Sequence, residues 1–191
     1  MSEKRKLVLV AMPWPPFDSA SPALATLAAY IARECPDWTA ECRSEYVSLW
    51  AIIQEEYERV LQDVLIAELI YAEKLYPEKR ALVLQSISAY FAGKIERERK
   101  EGAFNGRQPI DSATLERLFH VTTSHLETTS EQIAAEYDVL GLSVSNVGQF
   151  FSSLCLAKRV KEINPRVFTV LGGPGVGSTG SALLEDRKSV V

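Results

Sequence analysis

Residues 167–180, VFTVLGGPGVGSTG, place a run of β-branched and apolar residues directly before a glycine-rich loop. This order is typical of a parallel-sheet strand that ends in a ligand-binding loop at the carboxyl edge of the sheet. Gly175, Gly177 and Gly180 also match the glycine spacing of dinucleotide-binding sites. That fingerprint requires a second strand with an acidic residue about 20 positions further on, and the sequence ends at Val191. An NAD site therefore stays an alternative that the spacing alone does not establish.

The earlier part of the chain alternates between strand and helix patterns. Residues 6–11, KLVLVA, form the apolar run expected of a central parallel strand, and the prolines that follow exclude a helix there. Ser21 and Pro22 are typical of a helix start. Further strands are predicted at residues 41–50, 137–145 and 167–171, and a further helix at 149–164. Strands this far apart cannot form hairpins, so the sequence predicts an α/β fold with a Rossmann-like parallel sheet of about four strands.

A helical insertion is predicted between the second and third strands. Apolar residues recur at helical spacing from Glu55 to about Arg99, with an interruption near Pro77, which indicates a helical hairpin. A further helix is expected to be capped near Asp111. The insertion would span about residues 51–130 of a single domain that covers the whole chain.

Composition and charge exclude several classes of function. The net charge of −4 does not suit nucleic-acid binding, which needs a clustered positive excess. No segment approaches the roughly 18 apolar residues of a membrane span. We therefore expect no nucleic-acid partner, no membrane insertion and a cytoplasmic protein.

The cysteines and histidines show no metal-binding pattern. Cys35, Cys42 and Cys155 lack the spacing of zinc or iron–sulfur ligands, and we expect them to be structural thiols. We expect His120 and His125 to be polar residues on a helix surface. The sequence thus predicts no metal centre built by the protein and no iron–sulfur cluster in this chain.

Three loops should meet at one edge of the sheet, because parallel strands place their carboxyl ends on the same side. These loops are residues 12–20, 143–149 and 172–180, which offer proline and aromatic surface, small hydroxyls, one amide and bare glycine backbone. They contain no histidine, cysteine, lysine or paired carboxylate that could act as a nucleophile or general base. We predict a binding edge without catalytic residues. Turn geometry for the glycines and core packing for the serines and Trp14 remain the alternative interpretation.

Several stretches, taken in order, resemble a known family. They are Leu7-Val8-Leu9-Val10-Ala11-Met12-Pro13-Trp14, Ser21-Pro22-Ala23-Leu24, Glu68-Leu69-Ile70-Tyr71-Ala72 with Leu75-Tyr76-Pro77, residues 137–146 (YDVLGLSVSN), and Asn164-Pro165 leading to Val170-Leu171-Gly172-Gly173. Together they are similar to the N-terminal cobalamin-binding domain of B12-dependent radical SAM enzymes, especially the subgroup that matures ribosomal peptides. The resemblance covers nearly the whole chain.

The resemblance implies a corrin on the carboxyl edge of the sheet and a nucleotide tail that enters the fold. Carried over to this chain, the cobalamin contacts would be Met12, Pro13, Trp14, Ser143, Ser145, Asn146, Gly172, Gly173 and Pro174. The position of the axial histidine in classical B12 proteins falls in residues 13–18, PWPPFD, which contain no histidine. The resemblance therefore implies base-off cobalamin without a histidine ligand.

The resemblance also implies that the chain acts together with a partner chain or a further domain. An intact enzyme of this family carries a radical SAM barrel with a three-cysteine iron–sulfur motif, and this sequence has none. Methylation of a peptide would therefore need a radical SAM partner chain or a further domain, and no activity is expected from this chain alone. The alternatives are an NAD-type nucleotide-binding domain and a protein-interaction module that has lost its cofactor, for which an exposed apolar patch would suit a homodimer.

Overall fold

Four parallel strands form the sheet at the centre of this computed structural model, which describes residues 4–16, 18, 20–101 and 110–177. The strands are β1 (Arg5–Ala11), β2 (Trp38–Ser44), β3 (Val139–Ser143) and β4 (Phe168–Gly172). Their order across the sheet is β2-β1-β3-β4, and every neighbouring pair is parallel. The predicted α/β class with a Rossmann-like parallel sheet is therefore confirmed.

Helices connect and cover the strands. They are α1 (Pro22–Glu34), α2 (Glu45–Leu61), α3 (Val64–Leu75), α4 (Arg80–Lys100), α5 (Ser112–Glu136), α6 (Phe150–Ile163) and the short α7 (Pro174–Gly177), with 3-10 turns at Pro77–Lys79 and Val147–Gln149. The two predicted helix starts are confirmed by their caps. The Ser21 hydroxyl accepts a hydrogen bond from Leu24 N, and the Asp111 carboxylate accepts one from Thr114 N at 2.7 Å.

The second strand lies earlier than the sequence pattern predicts. Residues 41–50 were expected to form it, but β2 ends at Ser44 and α2 begins at Glu45. The alternation that suggested a strand through Trp50 was misleading, because burial in this segment follows the helical spacing of Tyr46, Leu49 and Ile53. The prediction of a strand over residues 45–50 is wrong.

In the described residues, the helical insertion runs from Glu45 to Glu136, beyond the predicted bounds of about 51–130, and holds one helix more than the predicted hairpin and the helix near Asp111. Four helices, α2 to α5, lie between β2 and β3. The first arm of the predicted hairpin is in fact two helices, which separate at Asp63. The buried Asp63 carboxylate accepts hydrogen bonds from Tyr90 Oη at 2.7 Å and Lys94 Nζ at 2.5 Å, and this contact ties the start of α3 to α4.

The two faces of the sheet are covered differently. α1 lies on one face, beside Leu7 and Leu9 of β1, and we call this the α1 face. Since side chains alternate along a strand, Val8, Val10 and Leu140 point to the other face, where they are fully buried. There α2 contacts β1 and α6 contacts β3, with α3 and α5 packed against α6. We call this second side the helical face.

Two further findings bear on the sequence predictions. Within the described ranges, no helix combines the length and apolar character that a membrane crossing needs. His125 is not a surface residue as expected, because its side chain is only 7% exposed and its Nε2 lies 3.0 Å from Glu45 Oε2. Burial favours a raised pKa for Glu45, but the His125 contact and the charge of Arg43 outweigh it and hold that pKa below its usual value.

Candidate functional site

The strand order places a topological switch point between β1 and β3. The chain leaves β1 towards β2 on one side, and it leaves β3 towards β4 on the other side. In open α/β sheets, ligands bind in the crevice outside the carboxyl ends of the strands at such a point. The candidate site is therefore the carboxyl edge formed by the loops after β1, β3 and β4.

Hydrogen bonds show that these three loops meet. The side-chain amide of Gln149 donates from Nε2 to Met12 O at 2.6 Å, which joins the loop after β3 to the loop after β1. Gly175 N donates to Val144 O at 2.9 Å, which joins the loop after β4 to the loop after β3. The predicted convergence of the loops is confirmed for the described residues.

The first three residues of the loop after β1 lie in the core beneath this edge. The side chains of Met12, Pro13 and Trp14 are all buried. Trp14 packs at 4.8 Å from the Tyr57 ring and donates from Nε1 to Ala67 O at 3.3 Å, so it is anchored in the helical insertion. A direct contact between these three side chains and a ligand would require the loop to leave the core. Their predicted role in cofactor binding stays a prediction.

Two glycines after β4 are needed for close packing against the loop after β3. Gly173 has a φ of +105°, and a Cβ there would lie 2.4 Å from Val144 O. A Cβ on Gly175 would lie 2.7 Å from Val144 Cγ1. Turn geometry and close approach therefore account for Gly173 and Gly175. Gly180, the third glycine of the dinucleotide pattern, lies outside the described residues.

Gly172 differs from its neighbours. A Cβ at Gly172 would meet no atom within 4 Å, so the space beside it is open. It pairs in register with Ser143 at the ends of β4 and β3. These two predicted site residues therefore stand side by side at the carboxyl edge.

An apolar trough opens beside Ser143 and Gly172 on the α1 face. Its volume is about 570 Å³, and it is bounded by α1 and by β1, β3 and β4. Phe168 and Val170 of β4 line it while being 64% and 47% exposed, which is unusual for large apolar side chains in a strand. The other principal lining residues are Leu7, Leu9, Leu24, Leu27, Ile31, Val139 and Gly141, with Gly173 near the same end as Gly172. The trough is large enough for a drug-sized ligand.

The polar groups at the edge are mostly engaged. Ser145 N and Oγ both donate to Gln149 Oε1, at 2.8 and 2.6 Å, and Asn146 O accepts from Gln149 N at 3.2 Å. Ser145 is nevertheless exposed, as is Pro174, and Asn146 is half-buried. Ser145, Asn146 and Pro174 therefore form the part of the predicted site that a ligand above the edge could reach.

A buried carboxyl group, Glu68, occupies the start of α6. It accepts hydrogen bonds from Phe150 N at 3.2 Å and Phe151 N at 3.0 Å. Burial raises the pKa of Glu68 to about 7, although the two backbone hydrogen bonds oppose the shift. The N–H groups at a helix N-terminus commonly bind phosphate, but at α6 this protein carboxyl group already accepts from them.

Two functional candidates were not singled out from the sequence. Glu68 is the single charged residue in the apolar run 64–72, VLIAELIYA. A charged residue in such a run indicates a carboxyl group that is buried and hydrogen-bonded. Gln149 carried no such signal, because a glutamine near a helix start is ordinary. Its importance depends on partners 4 and 137 residues away in sequence, which only the fold brings together.

The arrangement at this edge suits the binding of a ligand, and the absence of catalytic residues from it stays a prediction. In the described part of the carboxyl edge, the polar groups are hydroxyls, amides, backbone atoms and the exposed carboxyl group of Asp18, and the trough beside this edge is apolar. Both histidines of the chain lie on α5, outside the three loops. No family model, no curated protein and no solved structure matches this chain.

Proposed function

We propose that this chain is a cobalamin-binding module, with the corrin above the carboxyl edge and the nucleotide tail in the trough on the α1 face. The observation that carries the proposal is the trough, an apolar space of about 570 Å³ on the α1 face that reaches the carboxyl ends of β3 and β4, next to the switch point between β1 and β3. The sequence resemblance implies a tail that enters the fold from this edge. The trough reaches that edge at Ser143 and Gly172, which supports the proposal.

The residues present fit such a ligand. The benzimidazole of the tail is flat and largely apolar, and the trough is lined by aliphatic and aromatic side chains. At its mouth, Gly172 carries no side chain and Ser143 offers a hydroxyl, so a polar linker could pass there. Gly173 lies at the same end. Ser145, Asn146 and Pro174 would face the corrin.

The proposed cofactor would be held without a histidine ligand. Neither His120 nor His125 is on a carboxyl-edge loop, since both belong to α5. Cobalamin supplies methyl-transfer chemistry when bound. The chain's own residues would bind and orient it, while a radical SAM partner chain or domain and a peptide substrate would be needed for reaction. A cytoplasmic location is part of this proposal.

The direct test is reconstitution of the purified chain with hydroxocobalamin, followed by desalting and visible spectroscopy. The proposal expects a retained, near-stoichiometric corrin band in the base-off form. A folded but colourless protein would sink the proposal. Circular dichroism of the same sample confirms that the protein is folded.

One observation favours a second candidate, a surface for a partner protein. β4 pairs only with β3 among the described residues, and Phe168 and Val170 beside its open edge are exposed. A second copy of the chain or a radical SAM protein could cover them. Light scattering distinguishes this candidate, because a cobalamin-independent dimer would support it and a monomer would not. The NAD alternative gains no such support, since Gly175 N already donates to Val144 O.

A further inference from the structure

We infer that Gln149 is the positioning residue that fixes Ser145 as a hydrogen-bond acceptor for the ligand, and this inference rests on the proposed cobalamin site. Gln149 is the last residue of the 3-10 turn between β3 and α6 and is only 1% exposed. Its side chain bridges the loops on both sides of the switch point. The ligand-facing group it controls is the hydroxyl of Ser145.

The orientation of the Gln149 amide is fixed by its partners. Met12 O can only accept a hydrogen bond, so the nitrogen of the amide must face it, at 2.6 Å. Ser145 N can only donate, so the amide oxygen must face it, at 2.8 Å. A rotated amide would put acceptor against acceptor and donor against donor. The buried glutamine therefore has one allowed arrangement.

This arrangement decides what Ser145 offers to a ligand. A serine hydroxyl has one proton and two lone pairs. The proton of Ser145 Oγ is donated to Gln149 Oε1 at 2.6 Å, so only the lone pairs remain for an outside partner. Ser145 N donates to the same oxygen, so the exposed residue presents an acceptor. The matching ligand group is an N–H donor, such as the primary amides on the rim of a corrin.

Charge at position 149 would disturb this geometry. An ionised carboxylate in place of the amide could still accept from Ser145, but it would face Met12 O with no proton to donate. A protonated carboxyl group would restore the donor. Gln149→Glu should therefore bind cobalamin as the wild type does at low pH and lose it as pH rises, because burial favours the neutral form.

Other titrating groups near this position must be considered in that experiment. Glu68 faces the start of α6 from α3, and its pKa is about 7. Tyr71 on α3 and Cys155 on α6 interact electrostatically with Glu68, and burial raises the pKa of each. Lys74 on α3 interacts in turn with Cys155, and burial lowers its pKa to about 8. Since Glu68 is present in both proteins, the wild-type pH profile is the baseline for the variant.

The test measures the dissociation constant of hydroxocobalamin by visible absorbance, from about pH 5 to about pH 8. Three variants are compared with the wild type: Gln149→Met, Gln149→Glu and, as a matched control, Ser152→Ala. Ser152 lies in the first turn of α6, and its hydroxyl lies 2.7 Å from Pro13 O and 3.0 Å from the backbone oxygen of Gln149, so its loss removes a loop contact but leaves the Gln149 and Ser145 side chains in place. Circular dichroism checks that each variant folds.

We expect Gln149→Met to weaken binding at least about tenfold, the usual effect of losing a buried hydrogen-bond partner. Ser152→Ala should have a smaller effect, and Gln149→Glu should lose affinity with pH more steeply than the wild type. Should Gln149→Met fail to fold, the profile of Gln149→Glu decides. If the wild type binds cobalamin and the affinity of Gln149→Glu follows the same pH profile, the inference about Gln149 is wrong and the proposed function stands. The same conclusion follows if the wild type binds cobalamin and Gln149→Met and Ser152→Ala lose equal affinity for it. A wild type that retains no cobalamin overturns the proposed function and this inference together.

Discussion

The helical face and the α1 face of the same sheet differ in how completely they are covered. On the helical face, Val8, Val10 and Leu140 are fully buried under the insertion. On the α1 face, Phe168 and Val170 remain 64% and 47% exposed beside the trough. The central strand β1 is apolar on both sides from Leu7 to Ala11, so the difference comes from what packs on the sheet. The helical face is a closed hydrophobic core that stabilises the fold. The α1 face keeps apolar side chains exposed, so a ligand or partner can bind there.

The strongest test of this difference is a pair of truncations on neighbouring strands. Leu140→Ala on the helical face should lower the free energy of unfolding by about 2 to 5 kcal/mol, because it leaves a cavity in a closed core. Phe168→Ala on the α1 face should cost less than about 1 kcal/mol, because its side chain is already largely in water. Urea unfolding measures both. Equal losses would show that the α1 face is covered as completely as the helical face.

A buried carboxyl group gives the helical face a pH dependence. The pKa of Glu68 is raised to about 7 in the folded protein, so between its unfolded pKa and about pH 7 the folded state holds a proton that the unfolded state releases. Stability should therefore fall as pH rises through this window, by at most about 3 kcal/mol. Glu68→Gln should flatten the curve of unfolding free energy against pH. A wild-type protein that grows more stable over that window would contradict the assignment.

The carboxyl edge, where the two faces meet, depends on one left-handed glycine. Gly173→Ala should lower the free energy of unfolding by roughly 1 to 3 kcal/mol, because the new Cβ meets Val144 O in a backbone conformation that alanine rarely adopts. Gly93→Ala is the matched control, since a Cβ there meets no atom within 4 Å and alanine favours the helix α4. Thermal unfolding compares the two. A neutral Gly173→Ala would mean that the loop after β4 adopts another conformation.

Much of the fold could be predicted because local signals agreed with the tertiary arrangement. The apolar run of β1, the Ser21 cap with Pro22 and the Asp111 cap each appear in the structure at the expected residues. The sequence pattern predicted the wrong element where one residue is compatible with both strand and helix periodicity. Tyr46 fits both an alternating strand and a helical stripe, and in the structure it is buried on α2 at helical spacing with Leu49 and Ile53.

The candidate site was less predictable than the fold for a physical reason. The convergence of the three loops follows from parallel topology, so it could be predicted. Whether a loop residue faces ligand or core depends on residues far away in the sequence. Trp14 is buried because its ring packs on Tyr57 and its Nε1 donates a hydrogen bond to Ala67 O, both in the insertion. Gln149 was overlooked for the same reason. Contacts across the fold are not encoded in local spacing.

The most direct test of the account fills the trough while leaving the fold intact. Gly172→Leu places a side chain in open space at its mouth, and Gly93→Leu places the same side chain in open space on α4. Each protein is reconstituted with hydroxocobalamin, desalted and examined by visible absorbance and circular dichroism. We expect a near-stoichiometric base-off corrin in the wild type and in Gly93→Leu, and a folded, colourless Gly172→Leu. Retention of the corrin by Gly172→Leu, or its absence from the wild type, would contradict the claim that the trough on the α1 face receives cobalamin.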